Sequence, residues 1–195
     1  MFKKIPYQDS SAILRHVKLS EEAAKLVDVG AAPADVIDLL TDAALYIDLT
    51  HFFCHALPMR EVIWWTCNSL ELRNDDWTVA ELRTIQECKQ WVKEPQEGLR
   101  RRIEQQMQKI KNDRAVRWLA QAVVWNGSGS IVPVGFPVVM PAEFLYAKAA
   151  AGAINTAAVL PEWKGYQKFY QSTFSMALDL AKGGPGLMKN RIGDK

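Results

Sequence analysis

The stretch Thr78-Val79-Ala80-Glu81-Leu82-Arg83-Thr84-Ile85-Gln86-Glu87-Cys88-Lys89-Gln90-Trp91-Val92-Lys93-Glu94-Pro95 decides the fold class. Thr78 and Glu81 stand in T-x-x-E order, so that hydroxyl and carboxylate each satisfy a backbone N–H that the first turn of a helix leaves unbonded. Val79, Leu82, Ile85, Cys88 and Trp91 then recur every third residue and mark one helix face. Pro95 ends the run, because proline has no N–H to donate and crowds the turn before it. An amphipathic helix with a definite start, face and stop is therefore expected here.

The same grammar extends in both directions. Pro33 suits a first helical position and opens a segment running to about Leu57, with Val36, Leu40, Ala43 and Ile47 inward and Asp35, Asp38 and Asp42 on another flank. Pro58 closes it and starts a second segment, Met59 to Leu72, carrying Val62, Trp65 and Ser69 on one side. Beyond Pro95, Leu99, Ile103, Met107 and Ile110 mark a charged helix. Two more are expected near residues 114–125 and 142–160, and a last one over 162–181 with Trp163, Tyr166, Tyr170, Phe174, Ala177 and Ala181 as its buried stripe. Gly127-Ser128-Gly129-Ser130 interrupts the series. Pro133, Pro137 and Pro141 then exclude a helix interior, and Val132, Val134, Phe136, Val138 and Val139 point to an ordered extended strap across the bundle. The expectation is all-α: a single-domain bundle of about seven helices over residues 1–182, a proline-rich strap between the later helices, and a flexible tail over residues 183–195.

Composition narrows the function. The 195 residues are 49% apolar and 24% charged with a net charge of +2, an ordinary globular balance with no bulk preference for polyanions. Cys54, Cys67 and Cys88 form no C-x-x-C pair and read as small buried hydrophobes of a reducing compartment. No signal-peptide or membrane-spanning stretch is apparent, so a cytoplasmic location is expected.

Motifs for catalysis are sparse. His51 and His55 share a helix face at the spacing that lets two imidazoles bind zinc, and Asp48 could orient His51. Phe52, however, stands where a zincin has its glutamate, and no third ligand is indicated. Gly127 to Ser130 do not form a G-x-S-x-G elbow, and Gly183-Gly184-Pro185-Gly186 near Lys189 departs from the phosphate-loop spacing. Neither an enzyme nor a cofactor is expected. Charge is more informative: residues 1–80 carry seven basic and twelve acidic side chains, whereas residues 89–117 carry nine basic and four acidic ones around Arg100-Arg101-Arg102. Such poles can steer a protein partner, and they can equally be helix surface tied by pairs such as Glu97–Arg101. Glu94, Glu97 and Glu104 interrupt the basic stripe, which disfavours nucleic acid.

His55-Ala56-Leu57-Pro58-Met59-Arg60-Glu61-Val62-Ile63-Trp64-Trp65 resembles the ALP-x-REAVWW core of an uncharacterised bacterial helical family. Trp125-Asn126-Gly127-Ser128-Gly129-Ser130, the strap to Pro141 and the Ala/Gly-rich stretch Ala147 to Ala158 are similar to its later segments, so the likeness spans about residues 36–160. Members resemble accessory proteins encoded near type VI secretion genes, alongside spike, tip and effector genes. The resemblance implies a non-catalytic adaptor or co-chaperone that contacts an effector, a spike-tip protein or another adaptor. Contact is expected through Arg100, Arg101 and Arg102, through Asp35, Asp38 and Asp42, or through the strap at Phe136. An immunity protein that neutralises a toxin and a metal-dependent enzyme using His51 and His55 are the alternatives.

Overall fold

The T-x-x-E segment forms the helix its residues prescribe. In a computed structural model that describes residues 2–133 and 135–188, it runs over Val79–Lys93, with Thr78 Oγ accepting from the Glu81 N–H (3.3 Å) and the Glu81 carboxylate accepting from the Thr78 N–H (2.9 Å). Ile85, Cys88 and Trp91 lie in the core as expected. Val79 does not. As the first helical residue it swings out and is 86% exposed, while Trp77, just before the cap, is buried and donates its indole N–H to the Leu70 carbonyl (2.8 Å).

The described residues are all-helical, without strands. The α-helices are α1 (Ser11–Leu14), α2 (Glu21–Leu26), α3 (Pro33–Asp42), α4 (Tyr46–Ala56), α5 (Met59–Glu71), α6 (Val79–Lys93), α7 (Glu97–Met107), α8 (Ala115–Val124), α9 (Leu145–Ala158) and α10 (Tyr166–Ala181), with a short 3-10 turn at Asn74–Asp76. These ten replace the expected seven for two physical reasons. The segment from Pro33 breaks at Ala44, which takes a left-handed φ of 53°, so Ile47 leaves the inward stripe and is exposed. The helices α1 and α2 span only 4 and 6 residues, too short for a 3.6-residue period to declare itself. The buried apolar side chains form one cluster from Ile5 to Ala181. No described helix is long and apolar enough to cross a membrane.

Helix α9 lies at the centre and packs on α8, α4, α5 and α10. Its alanines at 147, 149, 150, 151, 153, 157 and 158 are all buried, so neighbouring backbones come close. At Gly152 an added Cβ would lie 3.3 Å from the Trp118 ring of α8, a contact tighter than packed cores normally hold. Helix α5 is sandwiched between α6, α9 and α10, and its Trp65 donates across the core to the Thr173 carbonyl (2.7 Å).

One further expectation changes. Trp163 precedes α10 at φ 66° and is 63% exposed rather than part of the buried stripe; Phe169, Tyr170, Phe174 and Ala177 supply that stripe. The first residues after α10 lie against α5. Trp64 donates to the Pro185 carbonyl (2.8 Å), Asn68 to the Gly186 carbonyl (3.0 Å), and the Gly186 N–H donates to Asp179 (2.9 Å). Lys189 and the rest of the tail to residue 195 lie outside the described residues, as does Val134 of the strap.

Candidate protein-contact surface

The triple-arginine segment sits on α7, and its three side chains part company. Arg100 is fully buried (0% exposed). Its guanidinium forks onto Glu97 (Nε and Nη2, both 2.6 Å), then donates to the Val124 carbonyl at the end of α8 and to the Ser130 carbonyl, both at 3.0 Å. Arg101, mostly buried, donates to Glu97 (2.9 Å), Glu104 (2.8 Å) and the Val132 carbonyl (3.1 Å). Only Arg102 faces solvent, its Nε 3.6 Å from a Glu87 oxygen. Arg100 is thus removed from any docking face. The three arginines do not form one basic surface, because the amphipathic period turns the first inward and the last outward.

What the inward pair does is hold the proline-rich segment. Ser130 and Val132 begin it, and both carbonyls are taken by α7 arginines. The Ser130 hydroxyl accepts from the N–H groups of Val132 (3.3 Å) and Val139 (3.1 Å), and the Ile131 N–H donates to the Val139 carbonyl (2.8 Å). The two ends therefore meet, as in the closed surface loops that recur at functional sites. Gly129 permits the closure: a Cβ there would stand 2.8 Å from Arg100 Nη2 and 3.0 Å from Glu97. The expected strap laid across the bundle is instead an arm pinned at its base. Ile131 and Val132 at its base are half-buried, and its later apolar side chains are in solvent, Phe136 69% and Val138 75% exposed with Val139 and Met140 beside them. Phe136 stands as a candidate contact; Val138 and Met140 join it, and only their exposure, invisible to hydropathy, distinguishes them from core.

Asp35, Asp38 and Asp42 are all exposed on α3, and none joins an ion pair among the described residues. Helix α3 packs chiefly on α4, and α7 on α6 and α8. The acidic flank and the arm therefore belong to different parts of the fold. Much of the basic stretch is spent internally as well: Lys89 binds Glu71 (2.8 Å), Arg114 binds Glu81 (2.6 Å), and Arg117 donates to the carbonyls of Met107, the last residue of α7, and of Ile110 in the turn beyond it.

The histidine pair also resolves. His55 is buried, and its Nδ1–H donates to the His51 carbonyl (2.8 Å), while Nε2 has no partner among the described residues. The two rings lie 6.5 Å apart. Asp48 does not orient His51; its oxygens accept from the N–H (2.7 Å) and hydroxyl (2.9 Å) of Ser20 at the start of α2. No three of His, Cys, Asp and Glu among the described residues gather where they could hold a metal ion. Burial lowers the His55 pKa to about 4, with its hydrogen bond to His51 opposing and the charges of His51, His16 and Lys148 assisting; burial lowers that of His51 too. The unfolded chain, with ordinary histidines near 6.5, then binds more protons than the folded one. Stability is full above pH 6.5 and falls as pH drops toward 4, by at most about 1.4 kcal/mol per pH unit for each fully differential proton. Urea titrations across that window check this, and His55→Gln should make the slope shallower.

A family model described as a family of unknown function, DUF6931, matches residues 36–181. The chain belongs to the DUF6931 family. The DUF6931 match meets the expectation of an uncharacterised family and reaches beyond residue 160, taking in the whole of α10 together with the arm and its α7 anchor. It leaves α1 and α2 outside. No curated protein and no solved structure matches the chain.

Proposed function

We propose that this DUF6931 member is a non-catalytic accessory protein, an adaptor or co-chaperone, that holds a protein partner on the arm over residues 130–141. One observation carries the reading: an apolar tip stands in solvent on a base fixed by Arg100 and Arg101. Exposed apolar side chains on a rigid support lose little conformational entropy on docking, which is how a few aromatic anchors come to dominate an interface. Arg102 beside the arm and the acidic α3 flank elsewhere supply charges that can orient the partner. The resemblance to proteins encoded beside type VI secretion genes suggests an effector, a spike-tip protein or another adaptor as that partner, met in the cytoplasm. The tagged chain purified from its native cells should retain it. The double change Phe136→Ser with Val138→Ser should weaken retention by about tenfold or more and leave the unfolding midpoint unchanged. Arg102→Glu should mainly slow association. Full retention by the double variant, or a chain recovered alone from actively secreting cells, would count against the proposal. Recovery of a toxin whose killing the chain suppresses would replace the adaptor role with that of an immunity protein.

A further inference from the structure

A cavity of about 530 Å³ opens between α2, α4 and the start of α10, far in sequence from the arm. Tyr46, Trp163, Tyr166 and Tyr170 wall it, with the Tyr46 and Tyr170 rings 5.1 Å apart and the Trp163 and Tyr166 rings edge to face at 6.0 Å. Asp48 is among the residues that line the same cavity although only 6% of it is exposed. A buried carboxylate normally has a cation beside it. Among the described residues Asp48 pairs with no lysine, arginine or histidine; its two hydrogen bonds, both from Ser20, leave further lone pairs free. His51 lines the cavity as well, and burial lowers its pKa against the opposing charge of Asp48. Lys18 and Glu22, both exposed at the rim, are of opposite sign.

We infer that this cavity binds an organic cation, an alkylammonium group held by Asp48 against the faces of Trp163 and the tyrosines. Aromatic faces carry negative charge density, and a weakly hydrated ammonium gains from several of them at once when a carboxylate shares the site. The volume suits a small ligand. Two of the wall residues, Ala44 and Trp163, are non-glycines at positive φ (53° and 66°), a strain that folds tend to keep where it shapes a site. The cation can be a free small molecule or the side chain of a peptide, since both present the same group.

Calorimetric titration of the full chain with choline, with its uncharged tert-butyl isostere, and with an Ala-Lys-Ala peptide carrying a trimethylated lysine tests the inference. Saturable binding of choline with none of the isostere supports it and assigns a free cation. Binding of the peptide alone supports it and assigns a protein side chain. Trp163→Leu, at an exposed position where folding is not at stake, should weaken either by about 3- to 30-fold, and Asp48→Asn should weaken it further. Equal binding of the isostere would overturn the inference, as would an absence of binding by both cations or indifference to Trp163→Leu. None of these outcomes depends on the arm.

Discussion

Arg100→Ala is expected to lower the stability of the fold by about 3–5 kcal/mol. The guanidinium is wholly enclosed and makes bonds to Glu97, to the Val124 carbonyl and to the Ser130 carbonyl. Each buried carbonyl deprived of its donor costs about 1–3 kcal/mol, and the void left by so large a side chain adds to that. Glu97 is about half exposed and rehydrates, so its released charge adds little. Arg100→Lys should recover only part of the loss, because an ammonium on a flexible stem cannot reproduce the planar fork onto Glu97 while also reaching carbonyls on both sides. Arg102→Ala, on the same helix and equally charged, should cost under about 0.5 kcal/mol. Urea unfolding of the three variants measures all of this. Limited proteolysis should show cleavage within the arm accelerated in Arg100→Ala, since Ser130 loses its tether. A loss below about 1 kcal/mol for Arg100→Ala would mean that the arm does not depend on this residue for its base.

The contrast between Arg100 and Arg102 shows what hydropathy patterns record. The spacing of Ile85, Cys88 and Trp91, the cap at Thr78 and Glu81, and the proline stops at Pro58 and Pro95 depend on residues near in sequence, and those features stand as read. Arg100 occupies the inward position beside Leu99 and Ile103, but its burial depends on Glu97 being within one turn and on carbonyls 24 and 30 residues away. Nothing local announces the distant acceptors. Gly129 was a signal in plain view: a glycine between serines reads as a turn, whereas here it makes room for a guanidinium. The break at Ala44 was hidden for the opposite reason. Alanine is the best helix former, so a left-handed alanine violates local preference; it is held there by the helix end itself, where the Ala44 N–H donates to the Thr41 carbonyl (3.0 Å) and the Leu45 N–H to the Leu40 carbonyl (2.9 Å). The aromatic cavity was equally hidden, because Tyr166 and Tyr170 fit the helical stripe and Asp48 reads as a partner of His51 until α2 claims it.

Glu81→Ala is expected to cost about 3–5 kcal/mol as well, through a different set of bonds. Glu81 is buried, and its carboxylate receives Arg114 Nε (2.6 Å) and Nη2 (2.9 Å) as well as the N–H and hydroxyl of Thr78 (both 2.9 Å). The same arginine donates to the Asp76 carbonyl (2.8 Å) and lies over the Trp77 ring at 5.4 Å. One carboxylate thus caps α6 and ties it to the start of α8. Burial acts to raise its pKa, but the hydrogen bonds from Arg114 and Thr78 prevail and hold it below the ordinary glutamate range. The sign follows from that depression: the stabilisation is full above the unfolded-state pKa and is lost as pH falls through the lower folded-state value. Acid unfolding should therefore proceed in two stages, the buried histidines acting first and Glu81 below them. Glu81→Gln retains an oxygen for the cap and loses the charge, so it should lose less stability than Glu81→Ala and make the lower stage shallower, leaving the share that Glu97 contributes through Arg100. In a double-mutant cycle with Arg114→Met, coupling of about 1.5 kcal/mol or more is expected, as for a bidentate pair that has little water around it. Additive single effects would show instead that cap and ion pair act separately, and that α6 and α8 are joined by their apolar faces alone.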